Sequence, residues 1–232
     1  MTCVLRSTSR NQDREDGERD WALFVHAREN MEVAKESNTP LKEKIIFVST
    51  RLFSMNGFLS TSISDILDAV GTSKGGFYNH FQSKEELFYA VLSQSRKIWR
   101  EQCLAGFDDI ESPIKKVEAL LKNYCDRYLK DYEHFPGGCI FLTLAVELAD
   151  SRPHLAEQLN IGFIRLKAMI RRLLEQAKEI GEIRDAVSSE RATEVLFSGM
   201  LGASVVYGID KSEDNLHRTI CALIQYLQGM RK

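Results

Sequence analysis

The fold class expected from the sequence is all-α. Apolar residues recur with the period of an α-helix, Ser, Pro and Gly stand where helices start and stop, and no alternating pattern of useful strand length occurs.

The first helix is expected from Thr39 as N-cap and Pro40 at the first helical position. Leu41, Ile45, Val48 and Leu52 form one apolar stripe, and Asn56-Gly57 ends it as a left-handed cap. Ser62 with Asp65 opens a second helix carrying Ile63, Ile66, Leu67 and Val70, which Gly71 closes. Ser73 caps a very short third helix reaching His80. Ser83 with Glu86 is another capping box and launches a long fourth helix to about Phe107. Five more helical stretches follow. Ser112-Pro113 opens one to about Tyr132, and Pro136-Gly137-Gly138 precedes another from Cys139 to Asp150. Pro153 opens a third that ends before Gly181, and the last two cover residues 189–207 and 212–229.

The chain has 232 residues, 44% of them apolar and 28% charged, with a net charge of -2. That composition supports a packed core and excludes collagen-like, disulfide-scaffold and disordered classes. A net charge so near zero also excludes a nucleic-acid coat, so any nucleic-acid contact has to be local. The longest apolar run, Val195 to Ile209, is 15 residues and is interrupted by Ser198, Gly199, Gly202 and Ser204. That is short of the roughly 18 residues a membrane span needs. The charged, polar start does not resemble a secretory signal, and a cytoplasmic location is expected. Five cysteines (Cys3, Cys103, Cys125, Cys139, Cys221) show no C-x-x-C spacing, which argues for thiols rather than a disulfide framework or a structural zinc site. No metal or cofactor is expected.

Three segments are expected. Residues 1–38 hold 6 basic and 8 acidic side chains with few aliphatics, and read as a disordered extension. Met31 lies so close to the first helix signal that it is a candidate translation start. Residues 39–85 form a compact three-helix unit, and residues 86–232 a second helical domain.

The outline of residues 39–85 is that of a helix-turn-helix. Its third helix carries adjacent glycines, Gly75 and Gly76, each costing about 1 kcal/mol in a helix interior. Such a pair suits a helix N-terminus that must come very close to a phosphate. Lys74, Tyr78, His80 and Lys84 supply donors for backbone oxygens, and Asn79 can read a base edge. The plainer alternative is that Tyr78 and His80 pack on the first helix. The segment's 5 basic and 4 acidic residues fall short of a basic footprint.

Residues 41–88 resemble the N-terminal domain of the TetR/AcrR family of transcriptional regulators. The match is carried by the string G-x-S-K-G-x-F-Y-x-H-F-x-S-K-E-E-L at residues 71–87. The resemblance implies a homodimer on a palindromic double-stranded DNA operator, with a small-molecule effector in the C-terminal domain. It implies DNA contacts at Ser62, Ser64, Ser73, Lys74, Gly75, Tyr78 and His80, with Lys84 as a phosphate clamp. Leu67, Val70 and Thr72 depart from the usual pattern, the first two standing where small alanines are common, which is expected to alter helix packing. The resemblance also places Trp99, Cys103, Tyr124, Tyr128, Cys139, Phe141 and Phe163 on helices around an effector pocket. Their character suits an apolar or aromatic ligand, and no charged residue stands out as its partner.

Small residues at Ser198, Gly199, Gly202 and Ala203 allow close helix approach, and Leu216, Ile220, Leu223, Ile224 and Leu227 form one stripe. Together the last two helices are expected to make a four-helix dimer interface, unless both faces serve the monomer core. The reading is a ligand-responsive repressor without catalytic activity, with the fourth helix as hinge. An activator and a regulator sensing oxidants or electrophiles through Cys139 at a helix start are alternatives. The remote alternative is an enzyme using Cys139 as nucleophile and His134 as base, for which no orienting third group is visible.

Overall fold

The computed structural model describes residues 40–232, so the expectations for residues 1–38, Met31 and Thr39 lie outside the described residues. Nine α-helices follow one another among the described residues: α1 Leu41–Asn56, α2 Ile63–Val70, α3 Lys74–Tyr78, α4 Lys84–Cys103, α5 Pro113–Asn123, α6 Ile140–Leu148, α7 Pro153–Glu179, α8 Ser189–Asp210 and α9 Glu213–Gln228. The described residues contain no β-strand, only an isolated bridge between Ile183 and Arg231.

Capping accounts for most of the boundaries. Ser62, Ser73, Ser83, Ser112, Ser188 and Ser212 each accept a hydrogen bond from the amide three residues on. At Ser62 the box is reciprocal with Asp65. At α4 the Glu86 carboxylate reaches back one residue further, to the Gln82 amide. Gly71 closes α2 in the left-handed conformation as expected. Gly57 does not: at φ 80 and ψ 173 it occupies a region open essentially to glycine alone. α4 stops at Cys103 rather than near Phe107, because Gly106 turns the chain at φ 76 into a short 3-10 segment. The helix expected to continue to Tyr132 changes register after Asn123. Residues Tyr124–Tyr128 form a π-turn, with the Leu129 amide donating to the Tyr124 carbonyl.

One continuous apolar core runs from α1–α3 into the C-terminal helices. Ile45, Val48 and Leu52 are buried in α1 as the stripe predicted. Leu67 and Val70 fill the space between the short helices, with Phe77 and Phe81 beneath α3. The stripe Leu216, Ile220, Leu223 and Leu227 is buried as well, and Gly199 lets α9 approach α8. A Cβ there would lie 2.4 Å from a Leu223 methyl. Those residues therefore hold the monomer together and are not an outward dimer face, a correction to the sequence expectation. The outward stripe is instead Val195, Ser198, Gly202, Val205, Val206 and Ile209 on α8, with Tyr226 on α9, all exposed. α8 is also the one helix among the described residues long and apolar enough to cross a membrane by length and composition, yet Leu196, Met200, Ala203 and Tyr207 bury its inner face.

Three contacts lock the short-helix unit to the C-terminal helices. The wholly buried Arg51 of α1 donates to the carbonyls of Tyr132 and Glu133, and the Gly137 amide donates to Ser54 Oγ at 3.3 Å. From α6, the Glu147 carboxylate accepts the Phe58 and Leu59 amides at 2.7 and 2.9 Å. Gly137 lies so near α1 that a Cβ would sit 1.9 Å from the Ser54 carbonyl oxygen. Gly137→Ala is therefore expected to cost about 1–3 kcal/mol of overpacking, read as a lower midpoint in thermal unfolding.

Candidate functional site

Two sites emerge, a surface around the α2 and α3 N-termini and a cavity between α4, α7 and α8. On the surface, Ser62, Ser64, Ser73, Lys74, Gly75, Tyr78 and Asn79 are all exposed, and His80 is half-buried. Tyr78 is 51% exposed, with its ring edge-on to the buried Phe77, so it does not pack into the first helix. Ser73 Oγ satisfies the Gly76 amide. The first amides of α3 present a donor-rich, positive helix end to the outside, with Lys74 beside them.

The two glycines of α3 do different things. A Cβ on Gly76 would lie 2.5 Å from Thr72 Oγ1 and 3.3 Å from a Leu41 methyl. Gly76 is thus crowded from within the fold, and Thr72, one of the departures from the family pattern, is its direct neighbour. A Cβ on Gly75 would meet only Ser73 Oγ at 3.7 Å. Nothing among the described residues needs a glycine there.

Lys84 is placed differently from the rest of the row. Its ammonium donates to the carbonyls of Phe58 and Thr61 at 2.8 and 2.9 Å and sits 4.3 Å from the centre of the Phe58 ring. Burial lowers its pKa, with Glu147 pulling the other way. Its first task is holding the α1–α2 turn, which leaves one N–H for an outside partner. Lys42, which sequence reasoning passed over, is exposed at the start of α1 with its ammonium 5.7 Å from the Phe81 ring. Only the fold brings it near α3.

The cavity has a volume of about 230 Å³, and Trp99, Tyr124, Cys139, Phe141 and Phe163 all line it. Cys103 and Tyr128 do not, a correction to the sequence reading. Cys103 is wholly buried, and burial, with Cys139 nearby, raises its pKa well above the usual thiol value. Tyr128 lies behind the wall, stacked between Tyr124 and Phe141, with its hydroxyl donating to Cys139 Sγ at 3.6 Å. The Tyr124 hydroxyl is buried without a hydrogen bond of ordinary geometry, and Ser204 and Cys139 are its polar neighbours. Phe197, Met169 and three arginines, Arg96, Arg100 and Arg165, complete the part of the lining that matters chemically. The arginines overturn the expectation that no charge stands at the pocket.

The Cys139–His134 pair required for the enzyme alternative does not form. The His134 ring bonds the Asp131 carboxylate at 2.9 Å, and the Cys139 thiol meets Tyr128. The hydrogen bond to Asp131 raises the His134 pKa against the opposing effect of burial. Elsewhere, Cys125, Asp126 and His217 bring their ligand atoms within 4.8 Å of one another, although sequence spacing gave no such sign. The Lys130 ammonium occupies their neighbourhood, 3.1 Å from His217 Nε2 and 2.8 Å from Glu213.

Comparison with known proteins agrees with this geometry. Residues 45–91 match the family model described as bacterial regulatory proteins, tetR family, and residues 113–223 match the tetracyclin repressor-like C-terminal domain. An uncharacterized HTH-type transcriptional regulator of Lactococcus lactis is 38% identical over 121 residues, covering 51% of this chain and 59% of that protein's length. The HTH-type transcriptional repressor DhaR of a Mycobacterium species is 22% identical over 82% of this chain and 94% of its own. A TetR transcriptional regulator from Chloroflexus aurantiacus superposes with a TM-score of 0.75 at 29% identity, covering 82% of this chain and 96% of that one.

Two outcomes follow from the local chemistry. Gly76→Ala is expected to destabilise the fold by about 1–3 kcal/mol through overpacking, whereas Gly75→Ala stabilises it by up to about 1 kcal/mol as a helix-interior glycine removed. Chemical denaturation of the two variants checks the contrast. The His134 pKa is raised on folding, so its stabilisation is fully present below the unfolded imidazole value near 6.5 and is lost as pH rises through the folded value. Thermal midpoints of wild type and His134→Asn are therefore expected to converge between mildly acidic and alkaline pH.

Proposed function

The chain belongs to the TetR family of transcriptional regulators, and from that premise we propose that it is a ligand-responsive repressor, acting in the cytoplasm as a dimer on a palindromic operator and released by a small effector with an apolar or aromatic body. The observation that carries this reading is the exposed row Ser73, Lys74, Gly75, Tyr78 and Asn79 on a helix whose outward glycine has no internal purpose. α3 enters the major groove with its N-terminus against phosphates, Lys74 adds charge there, and Tyr78 and Asn79 face the base edges and sugar-phosphate rim. Ser62 and Ser64 at the start of α2 meet the neighbouring strand, with His80 and the remaining N–H of Lys84 at the margin.

The dimer forms through the exposed α8 stripe of Val195, Val205, Val206 and Ile209, with Tyr226 of α9. Contiguous exposed apolar surface on two adjacent helices favours burial against a second copy, and a two-fold axis pairs the stripe with itself. Dimerisation fixes the spacing of the two recognition helices. The effector acts on that spacing through two helices: α4, which begins at Lys84 and passes the cavity at Trp99, and α6, which begins beside Cys139 and carries Glu147 in its last turn. A coupling of about 1–3 kcal/mol between effector and operator is typical of such an arrangement, and it is reciprocal.

Fluorescence anisotropy on duplexes tiling the gene's own upstream region, with a salt series, tests the reading. Specific binding to one tile is expected. Lys74→Ala should reduce the salt slope by about 1, and Tyr78→Ala should cost about 1–3 kcal/mol on that tile. Uniformly weak binding to every tile would contradict a specific regulator of that region. Val206→Glu is expected to yield monomers by sedimentation and to lose operator binding with the helical content intact. Transcription that rises when the operator is occupied would replace repression with activation.

A further inference from the structure

Three arginines line the cavity, Arg96 half-buried and Arg100 and Arg165 exposed. Arg96 and Arg100 are one helical turn apart on α4, an arrangement in which like charges repel and weaken a helix. Arg165 of α7 comes to the same cavity from the opposite wall. None of the three has an ion-pair partner among the described residues. Arg96 makes a single contact, to the Gln158 carbonyl, and leaves most of its five donors unused. Partial burial lowers the Arg96 pKa, and Arg165 and Arg100 add to the effect, as expected of cations gathered without a counter-charge.

The wall beside these charges is apolar and aromatic, with Trp99, Phe141, Phe163, Phe197 and Met169 around a space of about 230 Å³. Guanidinium groups hold carboxylates and phosphates through paired, charge-assisted hydrogen bonds. We propose that the effector is an anionic amphiphile, with an apolar body in the cavity and a carboxylate or phosphate head on Arg96, Arg100 and Arg165. The inference rests on the reading of this cavity as the effector site, and it adds the charge that reading lacks. The anion relieves the repulsion between the three cations, so binding also stabilises the α4–α7 contact.

Trp99 is a natural reporter, and Trp21→Phe makes it the chain's single tryptophan. The full chain with that change is titrated with octanoate, octyl phosphate, 1-octanol and octylamine, following Trp99 emission. An anion is expected to bind at least about tenfold tighter than 1-octanol, with octylamine weakest. The order of octanoate and octyl phosphate then separates a carboxylate from a phosphate head. Arg96→Gln with Arg165→Gln should erase the anion's advantage and leave 1-octanol affinity unchanged, which also shows that the variant is folded. Equal affinity for 1-octanol and the anions, or an advantage that survives the double substitution, would overturn the anionic head and leave the cavity reading standing. No Trp99 response to any of the four would overturn the cavity reading and this inference together.

Discussion

The carboxylate of Glu147 is the contact on which the arrangement of the two halves depends. It stands at the end of α6 and takes the Phe58 and Leu59 amides, two donors at the start of a turn that no helix ladder satisfies. Gly57 makes the approach possible. A Cβ there would lie 2.4 Å from Glu147 Oε1, and the backbone at φ 80 is open only to glycine. Lys84 ties the same turn from the other side through the Phe58 and Thr61 carbonyls. The turn that positions α2 and α3 is thus held by one acid from α6 and one base from α4, and both helices touch the cavity region. At 1.5 Å per residue, the nine residues of α6 span about 13 Å between Cys139 and the α1–α2 turn.

A rigid seam of this kind changes where coupling can travel. With only α4 as hinge, the short-helix unit would swing about its start. Arg51 in the Tyr132–Glu133 carbonyls and Gly137 against the α1 backbone add a second fixed point on the cavity side. Gly137 is separated from the cavity-lining Cys139 by one residue, so the close packing against α1 lies next to the cavity wall. Packed backbones at this distance leave little room for compression.

Much of the fold was legible in local chemistry. Ser caps announced the starts of α2, α3, α4 and α5, since each cap satisfies amides that the helix itself cannot. The surface row was legible for the same reason, with Ser73, Lys74, Gly75 and Tyr78 contiguous in the chain. What depended on distant partners was not. Glu147 and Arg51 read as ordinary helix charges until residues some eighty positions away meet them. Arg96 and Arg100 went unread in the sequence, and Arg165 joins them only because α4 and α7 line the same cavity. The π-turn at Tyr124–Tyr128 has no composition signal, and it decides that Tyr124 lines the cavity while Tyr128 stands behind it. The final helix misled because its strongest stripe faces the monomer core, and the weaker stripe on α8 faces out.

The most direct test of this account is amide hydrogen exchange at Phe58 and Leu59, compared between the wild type and Glu147→Gln. The account predicts protected amides in the wild type. In the variant their exchange is faster by roughly tenfold, the scale of one charge-assisted hydrogen bond, while the buried amides of α2 and α5 are unchanged. Equal exchange at Phe58 and Leu59 in both proteins would contradict it, because the link from the cavity helix to the α1–α2 turn would then not run through this carboxylate.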